Sequence, residues 1–271
     1  SVQNQTFTDW EHIVVDDGST DNSAQVVSSY VAQEPRLRLI QQPNGGMQNA
    51  RKAGLRASSS QTQYLSFLDS DDKLAPQMLE LTVSYLEQNP QVGLTFCNHY
   101  IINTEDKILK TYERLRVIPS RFWVKELPQD TPQTPFIAVG CGACLEPTTM
   151  IRRSIYEKTS GWREGEGDGH EGIELLLQIA LLSEVHFLPQ NLYYYRLHPK
   201  QTSWSIDYDK QMDKLLVKWK KGTGFTEEEK AKYSELALFY RRRFLPYYWS
   251  RQAKRFYPKA FLLYLKSFSP L

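Results

Sequence analysis

Two acidic clusters hold the residues with the clearest chemical potential. "HIVVDDGSTDNS", from His12 to Ser23, places Asp16 and Asp17 side by side after four β-prone residues. "FLDSDD", from Phe67 to Asp72, sets Asp69 and Asp71 one residue apart, with Asp72 beside them. Asp69 and Asp71, at a strand end before a turn, can aim at one hard cation. Mg²⁺ and Mn²⁺ prefer oxygen ligands, and Mg²⁺ usually takes one or two carboxylates plus substrate phosphate oxygens. A phosphorylated substrate is then the natural third party. Asp16 or Asp17, as an ionised acceptor, suits the N–H of a nucleobase imide or the O–H of a ribose. Each cluster also has a plainer reading: an Asx turn with a helix cap at the first, and a cap on the helix near Pro76 from Asp71 or Asp72 at the second. Together the clusters close two strands of one apparent sheet. One edge then carries a base- or sugar-reading acid and a metal-binding acid, which fits a nucleoside diphosphate and its metal.

The elements that must position these acids alternate. "HIVV", "RLRLI", "YLSFL" and "VGLTFCNHYII" read as strands. Between them lie a helix from Ser23 with Val26, Val27, Tyr30 and Val31 at helical spacing, the helix "MQNARKAGLRA" after the turn "PNGG", and the helix "QMLELTVSYLEQN" after Pro76. Alternation of this kind predicts an α/β domain with a largely parallel sheet covered on both faces. Ligands of such sheets collect beyond the carboxyl ends of the strands, where both clusters lie. From about Asn103 to Pro135 the pattern dissolves into charges and prolines. "CGACLEPTTMIRRSIYEK" resumes a strand, a turn and a helix. "GHEGIELLLQIALL" follows as a helix with Leu175, Leu176, Ile179 and Ala180 inward, and "VHFLP" and "LYYYRLHPKQTS" as strands. Beyond about Ile206 the chain reads as helical, with a capping box at Thr226 and Glu229.

Composition sets the bounds. The chain has 271 residues, 41% hydrophobic and 24% charged, enough to bury a substantial core. A net charge of +2 names no polyanionic partner. No apolar run approaches the roughly 18–20 residues of a membrane span. Cys97, Cys141 and Cys144 are too few and odd in number for a disulfide framework, and they fit a reducing cytoplasm.

The chain resembles the family 2 glycosyltransferases of the GT-A fold. The matching stretches are "QTFTDWEHIVVDDGSTDNS", "NGGMQNARKAGLRAS", "YLSFLDSDDKLAPQMLE", "MIRRSIYEKTSGWRE", "HEGIELLLQIAL" and "YYYRLHPKQTS", in the family's usual order over residues 1–205. The resemblance implies a GT-A domain, Rossmann-like with a mostly parallel sheet, over 1–205, and a helical extension over 206–271. It implies that Asp16 and Asp17 hold the nucleoside and that Asn44, Gly45 and Arg51 lie beside the nucleotide-sugar. Asp69 and Asp71 match the metal motif for Mn²⁺ or Mg²⁺, and Arg196 and His198 match a loop over the diphosphate. The catalytic base belongs at the segment begun by Glu171. Two departures stand out. Family members begin with a strand and helix ahead of "SVQNQTF", so the resemblance implies that the first strand, part of the pocket floor, is absent here. They also carry Glu-Asp where this chain has Glu171-Gly172, and glycine takes no proton. Glu171, Asp168 or Glu174 then serves as base, or the chain is impaired.

The expected activity is an inverting transfer from a nucleoside-diphosphate sugar, a UDP-sugar foremost, to a hydroxyl of a saccharide or lipid-linked acceptor in surface polysaccharide or glycoconjugate synthesis. The alternative is a catalytically weakened nucleotide-sugar-binding protein. Residues 240–266 interleave arginine and lysine with aromatic residues. A solvated helix pair packed on the domain is one reading of them. A face for the membrane surface is another, and makes the chain cytoplasmic and peripheral on the inner face. The acidic site and near-neutral charge oppose nucleic acid as a partner.

Overall fold

The computed structural model describes residues 1–112, 139, 144–163, 172–201, 208–222 and 224–239. The β-prone run after Glu11 forms β1 (His12–Asp16), and "LRLIQ" forms β2 (Leu37–Gln41). The two are parallel, in register from His12–Leu37 to Asp16–Gln41, with α1 (Ser23–Val31) as their crossover. The turn "PNGG" leads into α2 (Met47–Ala57).

A second sheet contains β3 (Tyr64–Leu65), β4 (Lys73–Leu74), β5 (Val92–Ile102), β6 (Ile108–Tyr112), β7 (Thr149–Arg152) and β8 (Glu184–Arg196). Its order is β3-β7-β5-β8-β4, with β6 also on β5. Helices α3 (Met78–Gln88), α4 (Arg153–Tyr156) and α5 (Ile173–Leu182) connect these strands. The two longest ladders, β1–β2 and β5–β8, are parallel, and the four shorter ones are antiparallel. This is an α/β fold with a curled sheet.

Local chemistry explains where the structure departs from the sequence pattern. The strand expected over "YLSFL" stops at Leu65, because the Ser66 hydroxyl donates to the Thr149 carbonyl at 2.9 Å where a ladder bond would continue. "VHFLP" and "LYYYR" form one strand rather than two. The register on β5 jumps from Cys97–Leu188 to Asn98–Asn191, and Pro189, which has no N–H to give, sits in the bulge. Asn98 Nδ2 donates to the Pro189 carbonyl at 3.0 Å. The irregular stretch after Asn103 contains β6, a hairpin partner of β5; its part from 113 to 135 lies outside the described residues. The sheet itself is divided. Among the described residues β1 pairs only with β2 and β3 only with β7.

The main core gathers around α5. It is buried at every position from Glu174 to Ile179, a wider burial than the inward stripe read from sequence. The extra cover comes from α6 (Tyr208–Lys221) and α7 (Glu227–Phe239), whose Leu215, Trp219, Tyr233 and Leu236 join Leu175 and Leu177 in one cluster. The expected capping box starts α7: Glu229 Oε2 accepts from Thr226 N–H at 2.9 Å, and Thr226 Oγ1 from Glu229 N–H at 3.2 Å.

One polar strut crosses this core. Glu174 is fully buried; its carboxylate accepts from Lys218 Nζ at 2.7 Å and Trp219 Nε1 at 2.9 Å. Removing one member of a buried pair typically costs about 3–5 kcal/mol. Lys218 is 18% exposed and can turn to water, which puts Glu174→Ala near the lower end. Chemical unfolding should show a loss of about 3 kcal/mol for Glu174→Ala and about 1 kcal/mol for Thr226→Ala. A loss under about 1 kcal/mol for Glu174→Ala would remove the strut from the account of how α6 is held.

Candidate active site

The two acidic clusters reach the same space from different sheets. Asp17, Asn44, Gly45, Arg51, Asp69 and Asp71 all line one cavity of about 2120 Å³. Val14 and Val15 on the β1 side and Leu65 and Phe67 on the β3 side give it apolar walls. The single shared sheet edge expected from sequence is therefore a cleft between two edges.

The first cluster splits its work. Asp16 is 9% exposed and does not line the cavity; it accepts from Ser19 N–H at 2.9 Å and from Gln41 Nε2 at 3.3 Å. The Ser19 hydrogen bonds hold its carboxyl below the usual range. Asp21 accepts from Ser23 N–H at 2.9 Å in an Asx turn just ahead of α1, whose N-cap Asn22 makes no side-chain cap bond, so the turn part of the plainer reading holds for this motif and the cap does not. Asp17 turns the other way. It accepts from Gln42 Nε2 at 2.6 Å and from the N–H groups of Gly45 and Gly46 at 2.9 and 2.7 Å. Desolvation raises its carboxyl, but the bonds from Gln42, Gly45 and Gly46 outweigh this and keep it ionised. Gly18 makes the approach possible. Its φ is +81°, and a Cβ there would lie 2.8 Å from Asn44 N. Asp17 thus fixes the glycine turn that starts α2, and of its roughly four acceptor sites one remains for a ligand.

The second cluster divides by burial instead, since Asp69, Asp71 and Asp72 all border the cavity. Asp72 is buried and accepts from Tyr193 Oη and from Arg196 N–H, both at 2.7 Å. Burial, with the charges of Asp71 and Asp69 added, pushes its carboxyl up to about 7 against those bonds. Asp69 and Asp71 face the cavity. Arg51 Nη2 donates to Asp69 Oδ1 at 2.9 Å, and His198 Nε2 lies 2.9 Å from Asp71 Oδ2. Two cavity-facing carboxylates on one turn are the donor set that Mg²⁺ or Mn²⁺ takes alongside phosphate oxygens. Among the described residues no cluster of three or more His, Cys, Asp or Glu side chains stands ready to hold a metal without such a partner.

Arg196 is engaged with the protein. Its Nε donates to the Asp71 carbonyl at 2.7 Å, Nη1 to the Asn103 carbonyl at 2.8 Å and Nη2 to Asp106 at 2.7 Å. It buckles the end of β8 to the Asp69–Asp72 turn and to the β5–β6 hairpin. His198 reaches the site through Asp71. Glu171 and Asp168 lie outside the described residues; Glu174, the remaining acid named for the base, faces α6 and not the cavity.

Sequence reasoning passed over Glu146. It sits in "CGACLEPTTM", where the cysteine spacing drew attention instead; Cys141 lies outside the described residues, and Cys144 and Cys97 are buried. Burial pushes the Cys97 thiol up to about 12, so it is inert. Glu146 is 4% exposed, lines the cavity, pairs with Arg51 and accepts from Trp162 Nε1 at 2.8 Å. An acid beside proline within an otherwise apolar stretch was the available signal.

The profile of "Glycosyl transferase family 2" matches residues 1–159. The chain is 28% identical over 219 residues to the uncharacterized glycosyltransferase EpsJ of Bacillus subtilis, covering 80% of this chain and 61% of the relative. It is 31% identical over 109 residues to a hyaluronan synthase of Pasteurella multocida, covering 40% of this chain and 11% of the synthase. The chain thus spans less than two thirds of these relatives' length. Among solved structures, the mannosyltransferase PcManGT from Pyrobaculum calidifontis, in complex with GDP-Man and Mn²⁺, superposes with a TM-score of 0.63 at 16% identity. That superposition covers 98% of this chain and 67% of the mannosyltransferase, and it shows the shared GT-A fold. With the profile matching more than half of its length, this chain belongs to glycosyl transferase family 2.

Proposed function

We propose that the chain is an inverting, metal-dependent glycosyltransferase that moves a sugar from a UDP-sugar to a hydroxyl of a saccharide or lipid-linked acceptor. The single observation that carries this is the shared cavity of Asp17 and Asp71, with Arg51 and Asp69 beside them. Family membership, the PcManGT complex with GDP-Man and Mn²⁺, and the hyaluronan synthase relative support a nucleotide-sugar donor and a role in polysaccharide synthesis.

The chain's own residues supply most of the donor site. Asp17 holds the Gly45–Gly46 turn and keeps an acceptor site for the nucleoside. The turn delivers the N-terminus of α2, whose Gly46 cap makes no side-chain bond and whose first residues line the cavity, so its N–H groups are available to phosphate oxygens. Asp69 and Asp71 would hold the metal. Bound there, it offsets the charge of the leaving diphosphate, worth several kcal/mol. In the transfer, the acceptor oxygen forms its bond to the anomeric carbon from the face opposite the diphosphate. The C–O bond to the diphosphate breaks with its electron pair, and the acceptor proton passes to Glu171. The second reading, a binding protein without turnover, is favoured by Gly172 alone.

Calorimetry across nucleotide-sugars should show a UDP-sugar binding with Mn²⁺ and losing at least about tenfold in affinity in chelator or in Asp71→Ala. No binding by any nucleotide-sugar would overturn the proposal. Glu171→Gln should reduce turnover by about 10²–10⁴-fold, the usual share of a positioned base, with donor affinity unchanged. Unchanged turnover would take Glu171 out of that role, and donor binding without any turnover in the parent chain would establish the binding protein instead.

We also place residues 240–266 on the inner membrane surface, on the strength of their aromatic and basic residues. Among the described residues no helix is long and apolar enough to cross a membrane. Because α6 and α7 build the core, the informative comparison is the chain with and without residues 240–271 on vesicles containing anionic lipid. Sedimentation with vesicles should require those residues and weaken at high salt; equal recovery of both forms counts against it.

A further inference from the structure

The sequence departure at Gly172 has a physical counterpart 26 positions upstream. Gly172 caps α5 with φ +85°, a left-handed conformation that resists a side chain. A Cβ built there would run into the Glu146 carboxylate, with the Glu146 Cδ only 2.5 Å away. That carboxylate cannot easily step aside. One oxygen accepts from Trp162 Nε1 at 2.8 Å and the other is paired with Arg51. The arrangement closes on itself. The Arg51 guanidinium lies 5.9 Å from the centre of the Phe67 ring, Phe67 packs edge-on to Trp162 at 5.1 Å, and Trp162 returns to Glu146. Arg51 and Glu146 are 10% and 2% exposed in their side chains, whereas Asp69, the other carboxylate on Arg51, is 35% exposed.

We infer that Glu146 delivers its carboxylate into the space a side chain at position 172 would need, and from there positions Arg51 at the donor end of the cavity. Glu146 is a positioning residue, since it acts through Arg51; the inference rests on the donor-site reading above. The guanidinium is shared between a buried anchor and a cavity-facing acid. Without the anchor it is left to Asp69 alone, where it competes with any cation that Asp69 takes up. A side chain at 172 has the same effect by pushing the anchor away. Positions 146 and 172 therefore act as one unit, a statement that neither residue's identity makes alone.

The test is a mutant cycle on the full chain, with UDP and Mn²⁺ as the calorimetric probe. Glu146→Gln and Gly172→Ala should each weaken UDP binding about tenfold, the scale of one charge-assisted bond. The double variant should be no weaker than either single within about twofold, and adding Glu146→Gln to Arg51→Ala should cost nothing further. A purely structural role lowers Tm without this sub-additive pattern in affinity. Losses that multiply, or wild-type affinity in either single variant, overturn the inference. If the parent chain binds no UDP or other nucleoside diphosphate, the donor-site reading falls, and unfolding decides the inference. Gly172→Ala should then lower Tm by about 5 °C more with Glu146 present than in a Glu146→Ala background. Equal losses in the two backgrounds reject the exclusion between 146 and 172.

Discussion

Arg51 is a nearly buried cation between two acids, and one wall of the cavity is organised around it. A guanidinium stays charged at any working pH, so its burial is tolerable only with anionic partners and a planar face to lie on. Glu146 and Asp69 supply the charges, and Phe67 supplies the face. These requirements tie together segments far apart in sequence: α2, the end of β3, the turn before β7, and the loop bearing Trp162. Moving any one of them leaves a charge in a dry place. The polar network therefore fixes the cavity wall with more specificity than the apolar contacts around it.

The opposite wall of the Asp69–Asp72 turn is fixed by Arg196. Strand β8 runs beside β5 for most of its length and ends at Arg196, whose side chain grips the Asp71 carbonyl while its N–H meets Asp72. The long parallel ladder sets where Arg196 arrives, and Arg196 sets where the acidic turn stands. This engagement gives the arginine a share in the site through the shape of the turn. His198, two residues on, then meets Asp71 from the same strand end. Core burial and site geometry are linked again at Glu174, whose helix begins at Gly172.

Much of this was legible in the residues. Helix α2 spans the stretch read as "MQNARKAGLRA", and β5 the stretch "VGLTFCNHYII", because each carries a local signal undisturbed by neighbours: a glycine turn before the first, a run rich in β-branched and aromatic residues for the second. The capping box at Thr226 held because its two bonds are local. What escaped depends on distant partners. Ser66 ends β3 only because Thr149 lies across from it. Pro189 bulges β8 rather than breaking it because Asn98 and the β5 ladder carry the strand past the proline. Glu146 was invisible as a site residue because its meaning lies with Arg51, Trp162 and the missing side chain at 172, each from another part of the chain.

The neighbouring aspartates in the two clusters are explained by the same geometry. Adjacent residues near a strand end point in opposite directions, so a pair of acids can divide into one turned to the protein and one turned to open space. Asp16 and Asp72 face inward and hold their turns through backbone N–H groups. Asp17, Asp69 and Asp71 line the cavity, and Asp72 borders it from a buried position. A single acid at each place could do either task, because a carboxylate saturated by turn donors has little capacity left for a nucleoside or a cation. Doubling the acid shares the tasks: Asp16 and Asp72 set the backbone path, while Asp17 ties down the glycine turn and still keeps about one acceptor site toward the cavity. The plain structural reading thus holds for Asp16 and Asp72, and Asp17 joins a turn-holding role to a place on the cavity wall.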